Sequence, residues 1–113
     1  MKGLLAMMIT ATALLAAACG STFVASKDGR GYYLGSGSNA AYKMFCESGD
    51  LKKILSETQL PQEMKDSMFE YNCGTGQSKE KVKQLFASMT PEQRKDLRTA
   101  FKHNGYDINY IPC

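Results

Sequence analysis

Residues 78–105 read SKEKVKQLFASMTPEQRKDLRTAFKHNG, and they spell two helices with a stop between them. Ser78 suits an N-cap, with Lys81 rather than Glu at the third position, so no capping box is expected there. Val82, Leu85, Phe86 and Met89 then follow at i, i+3, i+4 and i+7, the cleanest amphipathic stripe in the chain. Thr90-Pro91-Glu92-Gln93 opens the second helix. A threonine accepts backbone N–H bonds, proline fits N1, and Gln93 at N3 completes a capping box. Leu97, Ala100 and Phe101 form its apolar face, and Asn104-Gly105 ends it.

The same grammar extends upstream. Ser38 or Asn39 caps a helix through about residue 47 that carries Ala41, Tyr42, Phe45 and Cys46 and stops at Gly49. Asp50 caps a short helix with Leu51, Ile54 and Leu55 on one face. Pro61 suits the first turn of a third, burying Met64, Met68 and Tyr71, broken by Gly74-Thr75-Gly76. Leu51, Ile54, Leu55 and Pro61 parallel Val82, Leu85, Phe86 and Pro91, which reads either as a duplicated αα-hairpin or as repeated capping grammar. The expected fold is all-α: a small bundle of about five short helices, as two stacked hairpins plus a leading helix.

The segment 19–37 reads two ways. Thr22-Phe23-Val24 and Tyr32-Tyr33-Leu34 flank Asp28-Gly29 and fit a β-hairpin. An isolated hairpin is marginal in water, and as a Gly/Ser-rich coil of about 20 residues the segment is a tether reaching roughly 25 Å. The tail 106–113 fits an extended strip packed back on the helices. The expected organisation is therefore a leader over 1–18, a tether or hairpin over 19–37, and a helical domain over 38–113.

Met1-Lys2 supplies a short positive region, and residues 3–18 are an apolar run broken only by Thr10 and Thr12. The run is shorter than the about 20 residues of a membrane span and ends in small residues, so it reads as a cleaved export signal. Ala16-Ala17-Ala18-Cys19-Gly20 resembles the lipobox of bacterial lipoproteins, with Ala16 where leucine is usual and Leu15 one place early. The resemblance implies diacylation of the Cys19 sulfur, cleavage before it, and acylation of the freed amine. Two or three acyl chains, at about 0.8 kcal/mol per buried CH₂, anchor a small domain stably. Gly20 rather than aspartate after the cysteine is similar to the enteric pattern for outer-membrane delivery. Ordinary secretion with Ala-x-Ala cleavage is the other reading, and it leaves Cys19 for a disulfide.

Loss of residues 1–18 leaves about 95 residues and a foldable part of about 75, one domain with a thin core. Such domains use staples, and an exported chain can form disulfides. With Cys19 acylated, Cys46, Cys73 and Cys113 remain. Cys46 with Cys73 is the expected bridge, near helix ends in the compact region, and its loop of about 27 residues is worth roughly 3.5 kcal/mol. Cys113 is then free or an alternative partner; without acylation, four cysteines allow two bridges. The mature charge of about +2 is too balanced to argue for nucleic acid or an anionic membrane surface, and Glu80 interrupts the Lys79, Lys81, Lys83 run.

Chemistry is sparse. His103 is the lone histidine, in the last turn of its helix, where the dipole favours a cation. No cysteine pair has CxxC spacing and CxxCH is absent, so the sequence offers no zinc, redox or covalent-haem motif. Carboxylates are scattered singly, with no acid–base pair, and Met44, Met64, Met68 and Met89 read as core filler. No catalytic residue, metal or cofactor is expected. Met89-Thr90-Pro91-Glu92-Gln93-Arg94 is similar to the Leu-Thr-x-x-Gln motif of the Spy and CpxP class of periplasmic chaperones and stress sensors. That resemblance implies a small helical chaperone or inhibitor. The sequence thus points first to a lipid-anchored envelope protein with a non-catalytic binding or structural role, a membrane contact through its lipid, and a protein partner.

Overall fold

A computed structural model describes residues 22–111. The segment expected to be an export signal, Cys19 and Cys113 lie outside the described residues. Within them the chain forms β1 (Thr22–Lys27), β2 (Arg30–Tyr33), α1 (Asn39–Tyr42, continued by a π-helical turn Lys43–Glu47), α2 (Asp50–Ser56), α3 (Gln62–Cys73), α4 (Lys79–Ser88), α5 (Pro91–His103) and β3 (Asp107–Ile111). Three helices start at caps read from the sequence, Ser38, Ser78 and Thr90. The all-α expectation is nevertheless overturned, because the three strands form one antiparallel sheet in the order β2-β1-β3.

The sheet closes the chain on itself. Asp28 and Gly29 both have positive φ, 55° and 77°, the two-residue turn that matches strand twist, so Lys27 pairs with Arg30 and Val24 with Tyr33. On its other edge β1 pairs with β3, from Thr22 opposite Ile111 to Ser26 opposite Asp107. The hairpin is stable here because it does not stand alone: a third strand and the helices cover it. Phe23 and Ala25 are buried while the alternate residues Val24 and Ser26 are half-buried, the period of two of a sheet with one covered face. Phe23 stacks on Phe86 of α4 with ring centroids 3.9 Å apart and planes 16° from parallel.

The helices pack under that face. Phe45, Leu51, Ile54, Met68, Val82, Phe86, Leu97 and Phe101 are essentially inaccessible to solvent, which puts the stripes read from the sequence into one core. Helix partners run both within and across the two halves of the internal similarity, with α2 packed on α3 and on α5, and α3 on α4. Ser38 Oγ accepts from Ala41 N, and Ser48 N reaches Lys43 O at 3.2 Å to make the wider π turn. Ahead of α2, Gly49 takes the cap position with φ 83°, leaving Asp50 in the first turn. Thr90 and Gln93 make the full capping box of α5, so the Thr-Pro-Glu-Gln motif has a local structural use.

A polar side chain and a disulfide tie the layers. Buried Asn72 accepts from Gly35 N at 2.7 Å and donates to Met68 O at 2.8 Å, holding the hairpin's exit to α3. Gly35 has φ 81°, and a side chain there would collide with the backbone of Ser78 and Lys79, so the chain passes close only as glycine. Cys46 and Cys73 are disulfide-bonded, with Cα atoms 5.7 Å apart, joining the π turn to the last residue of α3. Among the described residues no cysteine is free.

Tyr106 joins the third strand to the rest. Its ring is edge-on to Phe101 with centroids 5.8 Å apart, and its hydroxyl donates to Asp50 Oδ2 at 2.7 Å, with Met44 O a second acceptor 3.2 Å away for the same proton. Lys27 Nζ lies 3.5 Å from Asp50 Oδ2 and 5.1 Å from the centre of the Tyr106 ring. Burial pushes the phenol's pKa up, and the hydrogen bond to Asp50 and that carboxylate's charge push it further. The sign follows: a raised folded pKa gives stability that is present below the unfolded value of about 10 and lost as pH rises above it. Tyr106→Phe is expected to lose about 1–2 kcal/mol at neutral pH, measured by urea unfolding. In an alkaline absorbance titration the most resistant tyrosine is expected to vanish, and the stability loss above about pH 10 to flatten.

Candidate binding groove

The surface between α2 and α3 carries a groove of about 640 Å³ lined by Lys52, Leu55, Ser56, Gln62, Lys65, Asp66 and Phe69. Its apolar part is Leu55, whose other side is in the core, and Phe69, which is 40% exposed. Helical spacing explains the pair. Leu55 belongs to the Leu51, Ile54, Leu55 stripe, whereas Phe69 sits one residue past Met68 and so turns off the buried face of α3.

Cations flank this apolar floor. Lys52 and Lys65 have no ion-pair partner among the described residues, while Asp66 accepts from Gln62 Nε2 at 2.9 Å through Oδ1. A groove lined by an exposed aromatic and two lysines suits an apolar side chain next to a carboxylate. Neither Phe69 nor the two lysines was singled out by the sequence reading. The available signal was an aromatic lying off the apolar stripe of its helix.

The residues that the sequence did single out sit elsewhere. Cys46 and Cys73 form their bridge between the π turn and the end of α3, and neither lines the groove. His103 Nδ1 lies 2.9 Å from Glu57 Oε1, and Asn104 Nδ2 donates to the same oxygen at 3.1 Å, so the ends of α5 and α2 are joined. The hydrogen bond from His103 is the largest influence lowering the Glu57 pKa; burial opposes it, and Asn104 and the charges of His103 and Lys53 add to it. No serine, threonine or cysteine bonds to the imidazole among the described residues, so this pair lacks the nucleophile of a triad. Among the described residues no cluster of histidine, cysteine and carboxylate side chains has the grouping of a metal site. No helix among them is long and apolar enough to cross a membrane.

No protein-family model matches the chain, and neither a curated protein nor a solved structure does.

Proposed function

We propose that this chain is a small envelope protein, held by lipid on Cys19 at the outer membrane and facing the periplasm, that binds a protein partner without catalysis. The observation that carries the binding role is the groove between α2 and α3, lined by an exposed phenylalanine and by two lysines without ion-pair partners among the described residues. Its occupant is a protein segment that lays an apolar side chain against Leu55 and Phe69 and a carboxylate against Lys52 or Lys65. The anchor reading is supported by the apolar run that ends in Ala16-Ala17-Ala18-Cys19.

The test is in-cell photo-crosslinking from the groove. A photoreactive residue at Gln62, which lines the groove and is exposed, is expected to capture one defined protein saturably. Adding Phe69→Ser and Lys65→Glu is expected to cut that capture at least about tenfold, as loss of an aromatic anchor and reversal of a charge at a binding centre does. Circular dichroism should stay unchanged. Undiminished capture by the double variant would refute the groove. Capture of many unfolded clients, with suppression of their aggregation, would favour the chaperone reading of the Thr90–Gln93 motif instead.

A further inference from the structure

We infer that the end of the sheet nearest Cys19 rests on lipid headgroups, through a surface formed by Tyr33, Lys79, Tyr71 and Lys81. This rests on the Cys19 anchor proposed above and adds an orientation to it. Only Gly20 and Ser21 separate Cys19 from β1. Three residue steps span at most about 11 Å even when fully extended. The domain therefore has no tether on which to stand away from the bilayer.

Strand pairing fixes which end lies down. Val24 faces Tyr33, and Leu34 N donates to Phe23 O at 2.9 Å, so residues 33–35 flank the start of β1. Gly35 abuts the backbone of Ser78 and Lys79, which brings the first turn of α4 to the same end. The Lys27, Asp28, Arg30 turn is at the other end of β1, about 17 Å away at 3.4 Å per residue.

The side chains at the anchored end match an interface between water and lipid. Lys79 Nζ lies 4.9 Å from the centre of the Tyr33 ring, and Lys81 Nζ lies 5.7 Å from that of Tyr71. Tyr33 is 42% exposed. Tyrosine places its ring at headgroup depth with its hydroxyl in water, and lysine extends an ammonium on an apolar stem toward phosphate. The nearby carboxylates are engaged elsewhere. Glu80 pairs with Lys83 at 3.5 Å, and Glu70 accepts from Gly76 N at 2.7 Å. Lys79 and Lys81 are therefore left to meet anionic lipid.

Hydrogen exchange on the acylated full chain tests this. The reference is an acylated variant with about twenty Gly/Ser residues inserted after Ser21 together with Lys79→Glu and Lys81→Glu, a spacer of roughly 25 Å. Both proteins are placed in vesicles containing phosphatidylglycerol, and each rate is divided by that of the same protein in detergent. The expected result is several-fold slower relative exchange of the original protein at segments 31–35 and 77–82, with no difference at 27–30. Equal relative rates at the anchored end, or protection confined to 27–30, would overturn the orientation. Recovery of the protein without acyl mass would instead remove the anchor itself, a distinguishable failure.

Discussion

Replacing Cys46 and Cys73 together by serine is expected to lower unfolding stability by about 3.5 kcal/mol, the chain-entropy value for a loop of 27 residues. A domain of this size has a total of only about 5–10 kcal/mol, so the loss removes a large share of it. The structure says where it is felt first. The bridge joins the π turn after α1 to the end of α3, and α1 itself is four helical residues held by the Ser38 cap. An isolated helix that short has no stability of its own. The urea midpoint should fall by at least a third, and amides of residues 39–48 should lose their exchange protection before those of α5 do. An unchanged midpoint would show that α1 is held by its packing alone.

Phe86→Ala is expected to cost about 3–5 kcal/mol, the range for emptying a buried phenylalanine site. Phe86 is 1% exposed, and its ring is stacked on Phe23. Truncation leaves the covered face of β1 without its main partner on α4, so the sheet should loosen with the core. Phe86→Leu, which keeps most of the volume, should cost less than about 1.5 kcal/mol. Exchange at residues 22–33 separates the two outcomes. A loss in Phe86→Ala confined to α4, with the strands still protected, would show that β3 and Tyr106 hold the sheet without it.

The helices were legible in the sequence because each carries its own punctuation: Ser38, Ser78 and Thr90 at the starts, glycine at the ends, and apolar residues spaced to one face. The sheet was half legible. Both strands of the hairpin and the Asp28-Gly29 turn were visible, and so was an extended tail, yet nothing local says that Thr22 pairs with Ile111 almost ninety residues away. That pairing is a long-range choice settled by burial of Phe23 and Ala25, and it converts a helical bundle with a tether into a mixed domain that begins three residues after Cys19. The groove was illegible for a similar reason. Phe69 reads as one more apolar residue near Met64 and Met68 until α2 and α3 are seen to leave it uncovered. Cys46 and Cys73 were chosen for their places near helix ends, and the structure joins those two ends. The Glu57–His103 contact spans two helices with no spacing rule to announce it.

The β1–β3 register also sharpens what is at stake at the chain's first cysteine. Thr22 pairs with Ile111, and in the sequence Cys19 lies three residues before the one and Cys113 two residues after the other. Acylation of Cys19 and a Cys19–Cys113 bridge are mutually exclusive uses of one sulfur. The most direct measurement is the intact mass of the protein recovered from membranes, before and after reduction. The expected species begins at Cys19, carries acyl mass, and gains two hydrogens on reduction, those of the Cys46–Cys73 bridge. A chain that begins at Cys19 without acyl mass and gains four hydrogens would contradict the anchor and give a secreted domain closed by two disulfides.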